Sequence, residues 1–467
     1  MAIGSKEAVS QQVQSEVQKD RESEGLPFRD LLSEERILEA LANAGVEFRD
    51  RIYTPMVTLW AFLSQVMDGK ESSCQKAVSR VLADRVERHK PACSPDTSSY
   101  CAARARLPEK AIADLARETG QKLDQKVDEN LLWKGRHVAI VDGSTYTMAD
   151  TEENQKEYPQ SSSQKAGLGF PMARIVVFLS LAVGTVLECA MGAARGKKTG
   201  EQSLFRATWN VLKSGDIVLG DCLFDAYRDI AQLKDRSVDS VFGKKQSRKV
   251  DFRHGQQLGP HDHVVTWHKP KYDANRFSSK AEWDALPDTL SMREIRIKVR
   301  RKGYRTRTIM IVTTLLDATI YSAKDLTELF AMRWHCELDL RSIKRSLGMH
   351  HLRCKTPEMV RKEMWTHLLA YNLIRVRMAQ AAVVHGLKPR NISFSAAKSL
   401  IQEFAKPLKK ARGAEVARIE GELLKAISKC KVGNRPGRKE PRAVKKREKK
   451  YSYLTKPRAK ARKGLKA

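Results

Sequence analysis

Apolar residues recur at helical spacing through the first quarter of the chain. TPMVTLWAFLSQVM, from Thr54 to Met67, is apolar at that spacing, and CQKAVSRVLADRVER after it reads as a basic amphipathic helix. In SPDTSSYCAARARLPEKAIADLARETGQKL, Asp96, Thr97 and Ser98 are N-cap candidates. The helix they open carries Arg104 and Arg106, and Pro108 restarts another. The pattern predicts an all-helical N-terminal domain over 28–125, after a polar leader over 1–27.

From 136 the period becomes two. RHVAIVDGST reads as a short apolar strand ending in Asp-Gly, and DIVLGD as a buried strand ending at Asp221. Between them, ARIVVFLSLAV and TVLECAMG read as a buried hairpin with Val-Gly-Thr as its turn. The run from Ile175 to Ala194 has the length of a membrane span, but Glu188 and that turn interrupt it. GEQSLFRATWNVLK, opened by Gly200, and FDAYRDIAQLKDR read as helices. Strand, hairpin, helix, strand and helix make a mixed α/β core, with its first part over 126–236.

Residues 237–317 are β-patterned and read as an insertion. In EIRIKVR, Ile295, Ile297 and Val299 face one way and Arg296, Lys298 and Arg300 the other. That basic row either tracks phosphates or is a solvated outer face. Helices resume at 323 and run to about 385, inside a second core part over 318–400. A further helix over roughly 412–429 leads into a basic tail, within a final region over 401–467.

Composition narrows the partner. The 467 residues leave room for two or three domains, and 41% hydrophobic content is enough for a sizeable core. The net charge of +31 favours polyanions, meaning nucleic acid or an anionic membrane surface. Residues 431–467 hold 16 Lys and Arg against 2 Glu, a sequence that reads as a flexible basic tail. The eight cysteines form no CxxC pair, and MAIGSKEAVSQQVQ lacks the apolar core of a secretory signal. A reduced, cytoplasmic setting without a membrane span is expected.

Two apolar strands ending in carboxylates, at Asp142 and Asp221, stand out. Each Asp either caps the turn after it or, at neighbouring strand ends, shares a divalent cation with the other. The third carboxylate is Glu337 in LTELFAMRWHCELDLRSIKRSLG. On a helical wheel, Leu329, Met332, Cys336, Leu340, Ile343 and Leu347 form the core face. Arg333, Glu337 and Lys344 fall in one narrow stripe beside it. The stripe is either an active site at a helix–sheet edge or an Arg333–Glu337 pair at i, i+4. Two-metal phosphoryl transfer uses three carboxylates, with cations such as Arg333 and Lys344 on the flanking phosphates.

These residues resemble the DDE transposases of bacterial insertion sequences, of the IS-four type. The family's signature Y-x2-R-x3-E-x6-K reads here as Phe330, Arg333, Glu337 and Lys344, with spacing intact and Phe in place of Tyr. VAIVDGST around Asp142 and VLGDCLFDAY around Asp221 are similar to the family's two Asp motifs. The resemblance covers roughly 30–455. It implies a ribonuclease H-like catalytic core interrupted by a β-rich insertion. It also implies Mg²⁺ (or Mn²⁺) on Asp142, Asp221 and Glu337, and DNA strand cleavage and transfer by cut-and-paste through a hairpin intermediate. Double-stranded DNA is the implied partner, both transposon ends and target, with the helical N-terminal domain on the ends and a dimer in the synaptic complex. Nucleoid association in a bacterial cytoplasm follows. A ribonuclease H-like DNA nuclease and a catalytically decayed DNA-binding regulator are the alternatives.

Other constellations carry less. His254, His261, His263 and His268 lack Cys or carboxylate at zinc-ligand spacing and read as structural or DNA-facing. No P-loop, GxSxG or GxGxxG is present. Trp60, Trp133, Trp209 and Trp365 read as core, whereas Trp334 lies off the core face, placed to pack on the insertion or to stack on a displaced base.

Overall fold

The computed structural model describes residues 28, 31–45, 51–196, 199–246, 248–274, 279–299, 307–433 and 452–463. The leader expected over 1–27, Arg300 and residues 434–451 lie outside them.

Among the described residues, five α-helices come first: α1 (Glu34–Ala42), α2 (Pro55–Met67), α3 (Cys74–Glu87), α4 (Ser98–Arg106) and α5 (Glu109–Gln125). Local chemistry sets their starts. The Thr54 hydroxyl accepts from Val57 N ahead of Pro55, and Ser73 accepts from Lys76 N. This region is not a separate globule. Residues of α1, α2 and α5 share one hydrophobic cluster with the sheet and with α12 (Pro357–Val384), a helix buried nearly all round.

Ten strands form one sheet: β1 (Val138–Met148), β2 (Met172–Ser180), β3 (Val186–Ala193), β4 (Ile217–Gly220), β5 (Asp239–Gly243), β6 (Gln256–Gly259), β7 (Asp262–His268), β8 (Thr289–Val299), β9 (Arg307–Thr313) and β10 (His351–Leu352). The order is β3-β2-β1-β4-β5-β9-β8-β7-β6, with β10 on the end of β1. The β1, β4 and β5 strands are mutually parallel, and the other main pairings are antiparallel. The expected hairpin is β2–β3, and its Glu188 is buried against Arg117 at 2.7 Å. No helix among the described residues is long and apolar enough to cross a membrane.

Three sequence expectations change. The strand at Asp142 does not end there: β1 runs on to Met148, paired with β2 as far as Thr147↔Met172, because Tyr146 and Met148 keep the buried alternation going. The β-rich region does not stand apart. Its first strand, β5, pairs with β4 in the middle of the sheet, and β9 joins the rest of it to β5. The stretch read as a flexible tail contains the short helix α15 (Arg458–Lys463).

Helices cover both faces. α6 (Glu152–Glu157) follows β1. On one face, α7 (Glu201–Ala207) and α8 (Tyr227–Asp235) pack over Val141, Val176, Val218 and Phe242. α9 (Lys280–Asp284) lies within the β-rich region. On the other face, α10 (Ala323–Met332) and α11 (Trp334–Arg341) pack with α12 over Ile140, Leu219 and Ile311. α13 (Phe394–Lys410) and α14 (Ala414–Lys429) close that side.

Candidate active site

The sheet register brings the two aspartates together. Ile140 of β1 is paired with Leu219 of parallel β4. Asp142 lies two residues beyond that pair on β1, and Asp221 is the first residue after β4, so the two stand near one end of neighbouring strands. A step of two keeps a side chain on the same face of an extended chain. Ile140 and Leu219 both belong to the cluster that includes Cys336 and Leu340 of α11, so Asp142, on the Ile140 face of β1, faces that helix, and it feels the charges of both Asp221 and Glu337. α11 packs directly on β1.

Both aspartates also anchor local backbone. Oδ1 of Asp142 accepts from Gly143 N at 2.8 Å, and Oδ1 of Asp221 accepts from Leu223 N at 2.8 Å. The turn-capping role and the site are therefore compatible at Asp221. At Gly143, in mid-strand, an added Cβ would stand 2.7 Å from Cδ of Glu201, the far end of a flexible side chain.

Glu337 reaches the same place from α11. Its Oε1 lies 3.6 Å from Nη2 of Arg333 one turn earlier, so the expected i, i+4 pair exists. The signature segment is not one regular helix. It breaks at Arg333 between α10 and α11, and Ser342–Ser346 is a wide π turn closed by Leu347 N to Ser342 O at 3.2 Å. Cys336, Leu340, Ile343 and Leu347 are buried as the wheel predicts, but Met332, at the break, is exposed. Lys344 in the π turn places Nζ 4.8 Å from the Tyr146 ring centroid on β1.

Electrostatics shows the convergence. The carboxyl of Asp142 is pushed up to about 6, first by burial and further by the charges of Asp221 and Glu337, against the pull of Gly143 N–H and Arg333. The Lys344 ammonium is shifted down by burial, while Asp142 pulls it the other way. The Cys336 thiol beneath them is pushed well up by burial and by the Asp142 and Asp339 charges. Three carboxylates and two cations therefore share one edge, between β1, β4 and α11. Among the described residues, no group of three or more His, Cys, Asp or Glu side chains stands close enough together to hold a metal ion.

The other expected contacts lie elsewhere. Arg296 and Lys298 are on β8, with β4, β5 and β9 between them and β1. Arg296 sits over the Phe252 ring at 4.6 Å, and Lys298 is exposed. His263 is buried, with Nε2 3.3 Å from Glu294, which also accepts from Trp267 Nε1 at 2.9 Å. His254 and His268 are exposed.

Sequence reasoning passed over two supporting carboxylates. Asp225, fully buried, accepts from Lys245 N at 2.9 Å and ties the loop after Asp221 to the end of β5. Asp339, also buried, receives Arg375 and Arg390 two residues after Glu337. No local sequence signal marks either as buried.

Residues 133–373 match the transposase DDE domain family. The chain is also 27% identical over 433 residues to the transposase InsG for insertion sequence element IS4 of Escherichia coli (strain K12), a match covering 90% of this chain and 92% of that protein.

Proposed function

Because the chain belongs to the transposase DDE domain family, we propose that Asp142, Asp221 and Glu337 are its catalytic carboxylates, acting on the ends of an insertion sequence. The protein is an insertion-sequence transposase, an enzyme that acts on DNA. The observation that supports the site assignment is that Asp142, on β1, feels the charges of Asp221, just past the end of parallel β4, and of Glu337 on α11. The strand order β3-β2-β1-β4-β5, three antiparallel strands followed by two parallel ones, supports a ribonuclease H-like core. The strands β6 to β9 extend that sheet as its insertion.

The donor chemistry suits a hard divalent cation, although the three carboxylates are not drawn together as a metal site in this structure. All three groups offer carboxylate oxygens, and burial with like-charged neighbours holds Asp142 up near 6, a repulsion that a cation would relieve. Mg²⁺, with Mn²⁺ as a substitute, would supply Lewis-acid activation of the attacking oxygen and neutralise the leaving one. The chain's own residues do the rest. Arg333, held along α11 by Glu337, and Lys344, held against Tyr146, present their cations to the phosphates on either side of the scissile bond. The apolar floor of Cys336, Leu340 and Ile343 excludes water beneath the carboxylates. Phe330 supports Arg333 from below, with the guanidinium 6.0 Å from its ring centroid.

The same reading includes cut-and-paste transfer, end recognition by helices of the 28–125 region, a dimer in the synaptic complex, and further phosphate contacts from Arg296, Lys298 and Arg300. The deciding experiment is cleavage of DNA carrying the element's ends with Mg²⁺, with Mn²⁺ and with EDTA, for the wild type and for Asp142→Ala, Asp221→Ala and Glu337→Ala. Cleavage should vanish with EDTA and in each variant while binding of end DNA persists. Retained cleavage in any one variant would overturn the assignment.

A further inference from the structure

The loop between α6 and β2 is folded around one side chain. Oε1 of Gln160 accepts from Gly167 N at 2.9 Å and from Gly169 N at 3.2 Å. Nε2 of Gln160 donates to Gln164 O at 3.2 Å and to Lys165 O at 2.9 Å. The loop carries a seat for the far end of the chain. At Gly167 (φ +74°) an added Cβ would stand 3.0 Å from Cγ of Pro457, so the Pro457 ring packs on this glycine.

What Pro457 brings with it is basic. Pro457 and Ala461 are half-buried and one helical turn apart, while Arg458, Lys460, Arg462 and Lys463 are exposed. None of these four forms an ion pair with another described residue. The apolar side of the segment faces the protein, and its four cations face outward.

The seat adjoins the site. At the loop's other end, Phe170 is 52% exposed and meets the His351 ring edge-on at 5.4 Å. His351 is paired with Thr147 of β1, and its Nδ1 lies 3.0 Å from the Thr147 hydroxyl. Thr147 is five residues along β1 from Asp142, about 17 Å at strand rise. A turn of duplex is about 34 Å long. DNA held at Asp142 and running along β1 would pass this edge within one turn.

We propose that α15, docked in cis through Pro457 on Gly167, forms with Lys165 a phosphate-binding rim that grips the DNA backbone beside the active-site edge. The inference rests on the reading that DNA lies at Asp142. Its test uses binding rather than cleavage, so it can fail while the catalytic assignment stands, and the reverse.

The docking is read from the full-length wild type with a short amine-to-amine cross-linker and mass spectrometry. An intrachain link from Lys165 to Lys456 or Lys460 is expected, and its absence overturns the docking. The DNA role is read from the salt dependence of binding to a random-sequence duplex. It compares the wild type with Arg458→Gln, Lys460→Gln, Arg462→Gln and Lys463→Gln combined. At about 0.9 per phosphate contact, the log–log slope should become shallower by up to about 3.6. An unchanged slope overturns the proposal even if the cross-link forms. Undocking by Gly167→Asp with Pro457→Asp keeps the four cations and should abolish the cross-link. Full hydroxyl-radical protection of the backbone near the cut in that variant would also overturn it.

Discussion

Arg390 donates from Nη1 to Oδ2 of Asp339 at 3.0 Å, and that carboxylate lies two residues beyond Glu337 on α11. Arg375 of α12 reaches the other oxygen of Asp339 and donates to the Tyr371 hydroxyl at 2.8 Å. Arg390 also donates to Ser180 O at 2.6 Å, at the end of β2. One buried carboxylate thus locks the helix carrying Glu337 to α12 and to the β2–β3 turn. Asp339→Asn leaves the buried Arg375 and the half-buried Arg390 guanidiniums without a counter-charge and should lower unfolding free energy by about 3–5 kcal/mol in urea titrations. Cleavage should fall with it, because Glu337 loses its anchor. A variant as stable as wild type would show that the cluster does not fix α11.

The raised carboxyl of Asp142 makes the site costly to the fold. Its pKa rises from 3.8 to about 6, so between those values the folded chain holds a proton that the unfolded chain has released. Stability therefore falls as pH rises through that window, and the loss persists above it. Asp142→Asn removes the penalty. It should be more stable than wild type at about pH 8 by about 1–3 kcal/mol, allowing for partial exposure, and the gap should close toward about pH 4. Added Mg²⁺ should raise the melting temperature of wild type and leave Asp142→Asn nearly unchanged. Equal melting of the two proteins at high pH would count against a strained carboxylate cluster.

Much of this site is legible in the sequence because its chemistry lies in local patterns. The spacing of Arg333, Glu337 and Lys344 is visible, and so are the apolar runs before Asp142 and Asp221. The strand past Asp142 was hidden because Gly143 resembles a turn residue. In the fold that glycine lies against the Glu201 carboxylate, 58 positions away in the chain. The helix α13 was hidden by Pro407 and the two lysines after it, although Phe394, Ala397, Ile401 and Leu408 keep helical spacing. Asp225 and Asp339 matter through partners brought by the fold, Lys245 and Arg390, and no local pattern tells a buried carboxylate from a solvated one. The alternation of Arg296 and Lys298 was readable, but their distance from β1 depends on the order of β4, β5, β9 and β8.

The end of the signature segment meets the N-terminal helices at two glycines. Gly348 has φ +79°, and a Cβ there would stand 2.7 Å from the carbonyl carbon of Gly69, itself at φ +63°. Gly348→Ala therefore adds backbone strain of order 1–3 kcal/mol and forces the two backbones apart. Thermal unfolding should show a loss of at least that size, and Lys344, four residues earlier, should lose its register on Tyr146, lowering cleavage. An unstrained, fully stable alanine variant would mean that the two segments are not held in contact.

Trp334 follows Arg333 directly, yet it is 52% exposed, and Leu338 one turn later is 38% exposed. Two exposed apolar side chains at i, i+4 beside Glu337 contribute little to folding. Trp334→Ala should change stability by no more than about 0.5 kcal/mol. An exposed indole at this edge is suited to receive a base that has left the stack, an interaction of about 1–3 kcal/mol. Affinity for end DNA with unpaired bases at the cut site should fall roughly 5- to 150-fold. Fully paired duplex should be affected much less, because its bases stay stacked. Competition binding with the two DNAs separates the possibilities: equal losses on both point to a general contact, and no loss on either removes the stacking role.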